Sequence, residues 1–427
     1  MAGHITKRKV KSGKPWRARY PDPTRGGTAQ IERKFATKRE AERWLNEQKV
    51  AVQRGTHIDP ANAERLFADV ADAWRSTWLE LEPKTKAGYE SILNKHVLPR
   101  WSQARIGAVS AEAIQDWINE IAVGRAPSTI GHIYGVVRSV MGLAVERRYI
   151  TVNPCDAVRL PRRSSYGDRG APKEMLFLAA PEVAAVAEAI DPHYRVLVYT
   201  AAYSGLRAGE LGALRRRDID LLHGKLKVTR ALKDVNTSSE NIAPEDKGLI
   251  FGPTKTGKAR VVGIPRFLVA MLTDHLESIP ADLDALVFTS PEGGPLRHGN
   301  FYRRHFKPTV RRRYCDDCGS NVRKDARRCP KCEGSNLAYV LPAEKRGLRF
   351  HDLRHTCAAL LIAANAHPKA IQDHLGHRDI QTTFNVYGHL LPSAREALAA
   401  ALDTAYGQQD EPPSNVRSLP TPVEAGK

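Results

Sequence analysis

Between Asn153 and Lys173 the chain is rich in proline, arginine, serine and glycine. Such a stretch reads as a linker. The residues before it and after it must therefore each bury their own apolar side chains. With 427 residues there is room for two to three such bodies.

Upstream of the linker two patterns follow each other. Trp16, Ala18 and Tyr20, then Gln30 to Phe35, alternate in short runs around Gly26-Gly27, which predicts a small sheet. A helix is predicted over Lys38 to Arg54, with Thr37 as its cap, Glu40 three residues on and Gly55 just past the end. Residues 1–58 thus form a sheet-and-helix module. From Leu66 to Leu160 the text is helical. Phe67, Val70, Ala71, Trp74 and Trp78 keep to one face, and Pro83 marks a break before a helix near Thr85 to His96. Ser110 caps a third helix that buries Ile114, Trp117, Ile118 and Ile121, and Ser128 caps a fourth through Val145. Residues 65–160 are therefore a helical domain.

Downstream, residues 174–406 are mixed. Two strands are expected, Lys225 to Ala231 and Leu249 to Pro265, separated by a loop from Lys233 to Lys247 too hydrophilic to pack. The second strand is expected to fold on itself as a hairpin at Thr254-Lys255-Thr256-Gly257. Residues 408–427 are polar and proline-bearing and are expected to be disordered. The fold class that results is α+β, mainly helical in its third region.

Charge narrows the function. The chain carries +19, and its first 58 residues alone hold 15 Lys and Arg against 5 Asp and Glu. A field of that sign favours polyanions, and nucleic acid is the commonest one inside a cell. No segment reaches the 18–20 apolar residues that a bilayer crossing needs. Met1 to Val10 is basic without the apolar run of a secretory signal, so an intracellular, cytoplasmic protein is expected.

Four islands in the third region carry chemistry. They are Tyr203-Ser204-Gly205-Leu206-Arg207-Ala208-Gly209-Glu210, the basic turn at Lys255, His351-Asp352-Leu353-Arg354-His355, and Leu375-Gly376-His377 followed ten residues later by Tyr387. Two guanidinium forks can clamp the oxygens of one phosphodiester and stabilise the charge of a pentavalent transition state. A tyrosine hydroxyl can attack phosphorus and hold the ester. Histidine can share its proton, and a lysine on a turn can protonate the leaving oxygen.

In this order the islands resemble the active site of the tyrosine recombinases, specifically the phage and mobile-element integrases. The resemblance implies site-specific recombination of duplex DNA through a 3′-phosphotyrosyl intermediate, without a catalytic metal. It implies that Arg207 and Arg354 grip the scissile phosphate, with Glu210 supporting Arg207. Lys255 would be the general acid, with Lys258 a rival past the turn. His351 would assist proton transfer from Tyr387, His377 would donate to a phosphate oxygen, and Tyr387 would be the nucleophile. His355 is left as structural. The helical domain looks like the family's core-site-binding domain, and residues 1–58 like its arm-site-binding module. The family acts as a homotetramer on DNA that exchanges C-terminal helices, here Pro392 to Tyr406, and works with directionality or DNA-bending factors at the nucleoid.

Two other readings stand beside this one. His351, Asp352, His355, Asp373, His374 and His377 have spacings that suit a metal-dependent nuclease or phosphohydrolase. That reading leaves Arg207, Lys255 and Tyr387 without roles. A non-catalytic DNA-binding regulator is the other, and it leaves the whole set unexplained.

Residues 311–349 add something to the family plan. Cys315-x-x-Cys318 and Cys329-x-x-Cys332 are two knuckle-like pairs, and four thiolates suit a closed, structural Zn²⁺ site. A redox dithiol is the alternative. The surroundings are basic, so DNA contact, a stabilising clip and a protein-contact module all remain open for this zinc-ribbon-like insertion.

Overall fold

The computed structural model describes residues 3–8, 13–23, 29–54, 60–161, 175–323 and 325–387. The expected turn at Gly26-Gly27, most of the linker, the helix at Pro392 to Tyr406 and the tail from 408 lie outside them. The contacts form two compact units: residues 1–174 with 234–250, and residues 175–233 with 251–427.

In the first unit, β1 (His4–Lys7), β2 (Trp16–Pro21) and β3 (Gln30–Phe35) pair antiparallel in chain order. Helix α1 (Lys38–Gln53) starts on a reciprocal cap, in which the Thr37 hydroxyl accepts from the Glu40 N–H and the Glu40 carboxylate accepts from the Thr37 N–H. Its Ala41, Trp44 and Leu45 close a small core on Ala18 and Tyr20.

A separate core follows, built by α2 (Phe67–Arg75), α3 (Pro83–Ile92), α4 (Ala111–Ala122) and α5 (Pro127–Glu146). Ser110 caps α4 as expected, accepting from the Ala113 N–H. Two boundaries differ from expectation. Pro83 itself opens α3, two residues before the start expected near Thr85, and α5 begins after Ala126 with Pro127 in its first turn, so Ser128 is not the cap. In both places the fixed φ of proline sets the first turn and its missing N–H costs nothing there.

Beyond α3 the helix widens into a π-turn at Leu93–Val97, where the Leu98 N–H reaches back five residues to the Leu93 carbonyl. Pro99 follows and cannot donate in the ordinary ladder. The same device recurs at Tyr302–Phe306, where the Lys307 N–H bonds the Tyr302 carbonyl just before Pro308.

The loop expected to be too hydrophilic to pack does pack. Ile242 is buried, and the Asn241 side chain donates to the buried Glu90 at 2.7 Å. Polarity misleads here because the loop supplies a hydrogen bond that a buried carboxylate requires.

The second unit centres on α6 (Ala180–Ala189), α7 (Arg195–Ser204) and a short α8 (Ala208–Leu211). The two expected strands are four. β5 (Lys225–Val228) lies between β4 (Ile219–Asp220) and β8 (Arg260–Gly263), while β6 (Arg230–Val235) pairs with β7 (Gly248–Pro253). The segment Leu249 to Pro265 therefore does not fold on itself. Its Thr254–Gly257 turn is an excursion, closed by the Gly257 N–H on the Thr254 carbonyl, between two strands with different partners. After α9 (Arg266–Glu277) comes the four-cysteine module with β9 (Arg313–Cys315), β10 (Asn321–Val322) and β11 (Leu337–Tyr339), ordered β10-β9-β11. Helices α10 (Asp352–Ala363), α11 (Pro368–Leu375) and α12 (Ile380–Tyr387) complete the unit, with α10 packed along α7.

Candidate active site

The site is organised by the end of one helix. The last carbonyls of an α-helix have no partner within it, and at the end of α11 three consecutive ones are taken by three arginines. Arg260 Nε donates to the His374 carbonyl at 3.2 Å, Arg354 Nη2 to that of Leu375 at 2.6 Å and Arg207 Nη2 to that of Gly376 at 3.3 Å. The negative end of the helix dipole favours such an arrangement. Arg354 also donates to the Gly205 carbonyl at 2.6 Å.

Both glycines are required. Gly205 and Gly376 have φ of +63° and +68°, and a Cβ on them would lie 2.6 Å from Leu375 and 2.9 Å from Arg260.

Glu210 is buried beneath this row. Arg260 meets its carboxylate with two bonds, 3.0 and 2.8 Å, while the Arg207 N–H and Nη1 donate at 2.9 and 3.0 Å. Burial alone would push Glu210 up, but Arg260 and then Arg207 more than reverse it and hold the carboxyl below its usual range. Arg354, 3% exposed, has only carbonyls as hydrogen-bond partners among the described residues, and burial followed by repulsion from Arg207 brings it down to about 10. The cluster keeps positive charge that no residue of its own neutralises.

Tyr387 is 2% exposed, seated in a small apolar cluster with Cys357, Ile371 and Leu375. Its hydroxyl is 2.7 Å from His355 Nδ1, and the His377 ring lies nearly parallel to it. Burial pushes Tyr387 up to about 12. His377 is pushed down to about 4 by burial and then by Arg354 and Arg207, and its Nδ1 is 2.9 Å from the Thr383 hydroxyl.

The structure thus brings together Arg207, Glu210, Arg354, His377 and Tyr387. It redistributes the histidines: His355, left as structural from the sequence, is the one against the tyrosine. His351 stands just before α10, one turn earlier, and meets the His355 ring edge-on at 5.4 Å. Lys255 is exposed on its turn, and among the described residues no hydrogen bond ties it to the cluster. Arg260 was missed; its only sequence signal is that it is a third basic residue just past Lys255 and Lys258.

The metal-nuclease set does not converge. Asp352 accepts three bonds from Arg349, His374 faces the Cys357 sulfur and Asp373 pairs with Lys369.

Comparison with known proteins decides the family. Residues 177–393 match the model of the phage integrase family. The chain belongs to that family. As a phage integrase it is a tyrosine recombinase, an enzyme of site-specific DNA recombination. It is 26% identical over 413 residues to the putative prophage phiRv2 integrase of Mycobacterium tuberculosis, covering 94% of this chain and 96% of that one. The integrase of Mycobacterium phage D29 is also 26% identical, over 84% and 86%. The Tn1549 transposon integrase, solved in complex with a circular intermediate DNA, shares the fold at TM-score 0.59 and 18% identity over 79% of this chain and 99% of that one. Among the described residues of this integrase no helix is long and apolar enough to cross a membrane.

The four cysteines of the insertion also converge. Their sulfurs all lie within 4.8 Å of one another, with Cys315–Cys332 at 3.5 Å and Cys318–Cys329 at 3.6 Å. A tetrahedron of Zn–S bonds has edges of ~3.8 Å, so the donor set fits one structural metal ion.

Proposed function

We propose that this integrase cleaves and rejoins duplex DNA with Tyr387 as nucleophile, on a phosphate held by Arg207, Arg354 and His377. The observation that carries this is the row of arginines on the α11 carbonyls beside a tyrosine: a site with excess positive charge and a nucleophile that needs only an anion to complete it. The Tyr387 oxygen bonds to phosphorus as the P–O5′ bond breaks. The tyrosine proton passes to His355, with His351 beside it, and Lys255 from the Thr254–Gly257 turn gives a proton to the leaving 5′-oxygen. Glu210 and Arg260 position Arg207. Because the phosphotyrosine conserves the bond, rejoining needs no energy source, and the arginines supply the charge stabilisation that a metal gives elsewhere.

The other assignments follow the family. Residues 1–58 serve as the arm-site module, 65–160 as the core-site domain and 174–406 as the catalytic domain. The protein acts as a homotetramer on attachment sites in the cytoplasm, with accessory factors setting direction. One Zn²⁺ on Cys315, Cys318, Cys329 and Cys332 would tie the insertion together ahead of His351. Metal analysis of protein purified without added metal should find one zinc per chain, and Cys315→Ser should lose it and lower the melting temperature.

Tyr387→Phe tests the central assignment. Incubated with a nicked attachment-site duplex, the wild type should form a denaturant-resistant protein–DNA adduct, and the variant should bind the duplex equally while forming about 10⁴-fold less. An equal adduct from the variant would remove Tyr387 from the mechanism.

A further inference from the structure

The cysteine module meets the body of the catalytic unit along a groove of about 430 Å³ that the phosphate site does not use. Five arginines line it: Arg304, Arg311, Arg312, Arg313 and Arg323. The one carboxylate on its lining, Asp191, accepts from the His193 N–H and so caps the turn that follows it. We propose that this groove binds the phosphodiester backbone of duplex DNA beyond the base pairs taken at the catalytic pocket, making the cysteine module an extra DNA clamp.

Two of the groove's arginines are held by backbone carbonyls. Arg312 donates to the Ala189 carbonyl at 2.6 Å and Arg311 to that of Arg346 at 3.2 Å. Carbonyls fix a guanidinium in place and leave its charge available, whereas a carboxylate would cancel it. The base of the module is fixed as well. The Val340 N–H bonds the Arg312 carbonyl, so the strand leaving the module is anchored to the strand entering it.

Arg304 projects from the π-turn ahead of Pro308, and Arg323 follows β10. Both are exposed, and among the described residues neither has a carboxylate within ion-pairing distance. Exposed charges along one groove suit an extended polyanion. Duplex DNA is the polyanion this unit already handles, and tethering at one site raises its effective concentration at another on the same body. The inference rests on the recombinase reading for its ligand and not on the tyrosine chemistry.

The experiment uses the full chain and two duplexes, one limited to the core site and one extended on both flanks. The wild type should bind the extended duplex with a steeper dependence of log Kd on log salt, by about 0.9 per added phosphate contact, and should protect flank sugars from hydroxyl radical. Arg304→Ala, Arg311→Ala and Arg323→Ala combined should lose the flank protection and up to about 2.7 of the slope. Adduct formation on the core duplex should persist in that variant, and the matching triple lysine variant should keep both flank signals.

Equal slopes and no flank protection in the wild type would overturn the proposal without any variant having to fold. So would a triple alanine variant that keeps the flank protection, or one that loses only binding of inorganic phosphate. Failure of the tyrosine reading would show as missing adduct in the wild type with the flank comparison intact.

Discussion

Glu90 and Glu210 are both buried to 1% side-chain exposure, one in the helical domain and one under the phosphate site, and their surroundings differ in kind. Glu90 receives two bonds from Arg75, at 2.9 and 3.1 Å, and one each from the neutral amides of Asn94 and Asn241. Arg75 in turn also pairs with Asp72. That network is closed: its one guanidinium meets two carboxylates, so its positive charge is answered within it. Around Glu210 one carboxylate faces Arg207 and Arg260, with Arg354 close enough for Arg207 to lower its proton affinity. That network is open, short of negative charge by design of its sequence. A structural ion pair completes itself; a binding site leaves the last partner to the ligand.

The largest expected difference comes from Glu210→Gln. Removing its charge leaves Arg207, Arg260 and Arg354 without a carboxylate, a change of about 3–5 kcal/mol in the stability of the catalytic unit. Cleavage should fall with it, since Arg207 loses its support. Thermal unfolding monitored with and without sulfate makes the comparison sharp. Sulfate, standing in for the scissile phosphate, should restore part of the loss. If it stabilises the variant no better than the wild type, the open network is a misreading.

Glu90→Gln should cost less, about 1–3 kcal/mol, because Arg75 keeps Asp72 and an amide can still accept from Asn94 and Asn241. No recovery with sulfate is expected. A sulfate response equal to that of Glu210→Gln would erase the distinction between the two regions.

The parts of the molecule that were legible in the sequence are those whose partners lie nearby in the chain. Thr37 with Glu40, Ser110 with Ala113 and Arg207 with Glu210 each span three residues, and composition reveals them. The order of the islands around Arg354, His377 and Tyr387 carried the family. Arg260 was invisible because its partner Glu210 is 50 residues away, and nothing local separates it from Lys255 and Lys258. Asn241 was hidden for the same reason at a separation of 151. The choice between His351 and His355 depends on which turn of α10 faces the Tyr387 cluster, a tertiary fact. The break at Thr229 is likewise set by strand pairing; the turn at Thr254–Gly257 is local, with Gly257 at φ +70°, but the different partner strands on its two sides are not.

The smallest effect is a protonic one, and it follows from the same excess of positive charge. Burial lowers His377 to about 4, with Arg354 and Arg207 adding to the shift, and His355 and His351 move in the same direction. A folded value below the unfolded 6.5 means that the unfolded chain takes up the proton first. The contribution of these groups to stability is therefore full above about pH 6.5 and is lost as the pH falls toward 4. A bound phosphate offsets the two arginines and raises His377 again, so the DNA complex takes up a proton that the free protein refuses. Core-site affinity should then rise as the pH is lowered from 7 to 5.5, by at most about tenfold per pH unit for each proton taken up. Titration calorimetry at pH 6 in buffers of different ionisation enthalpy measures that uptake directly. It should shrink in His377→Asn and be unchanged in Glu90→Gln, whose network meets no phosphate. Binding with no proton uptake in the wild type would mean that the arginines do not set the potential at His377, and the contrast between the closed and open networks would lose its electrostatic basis.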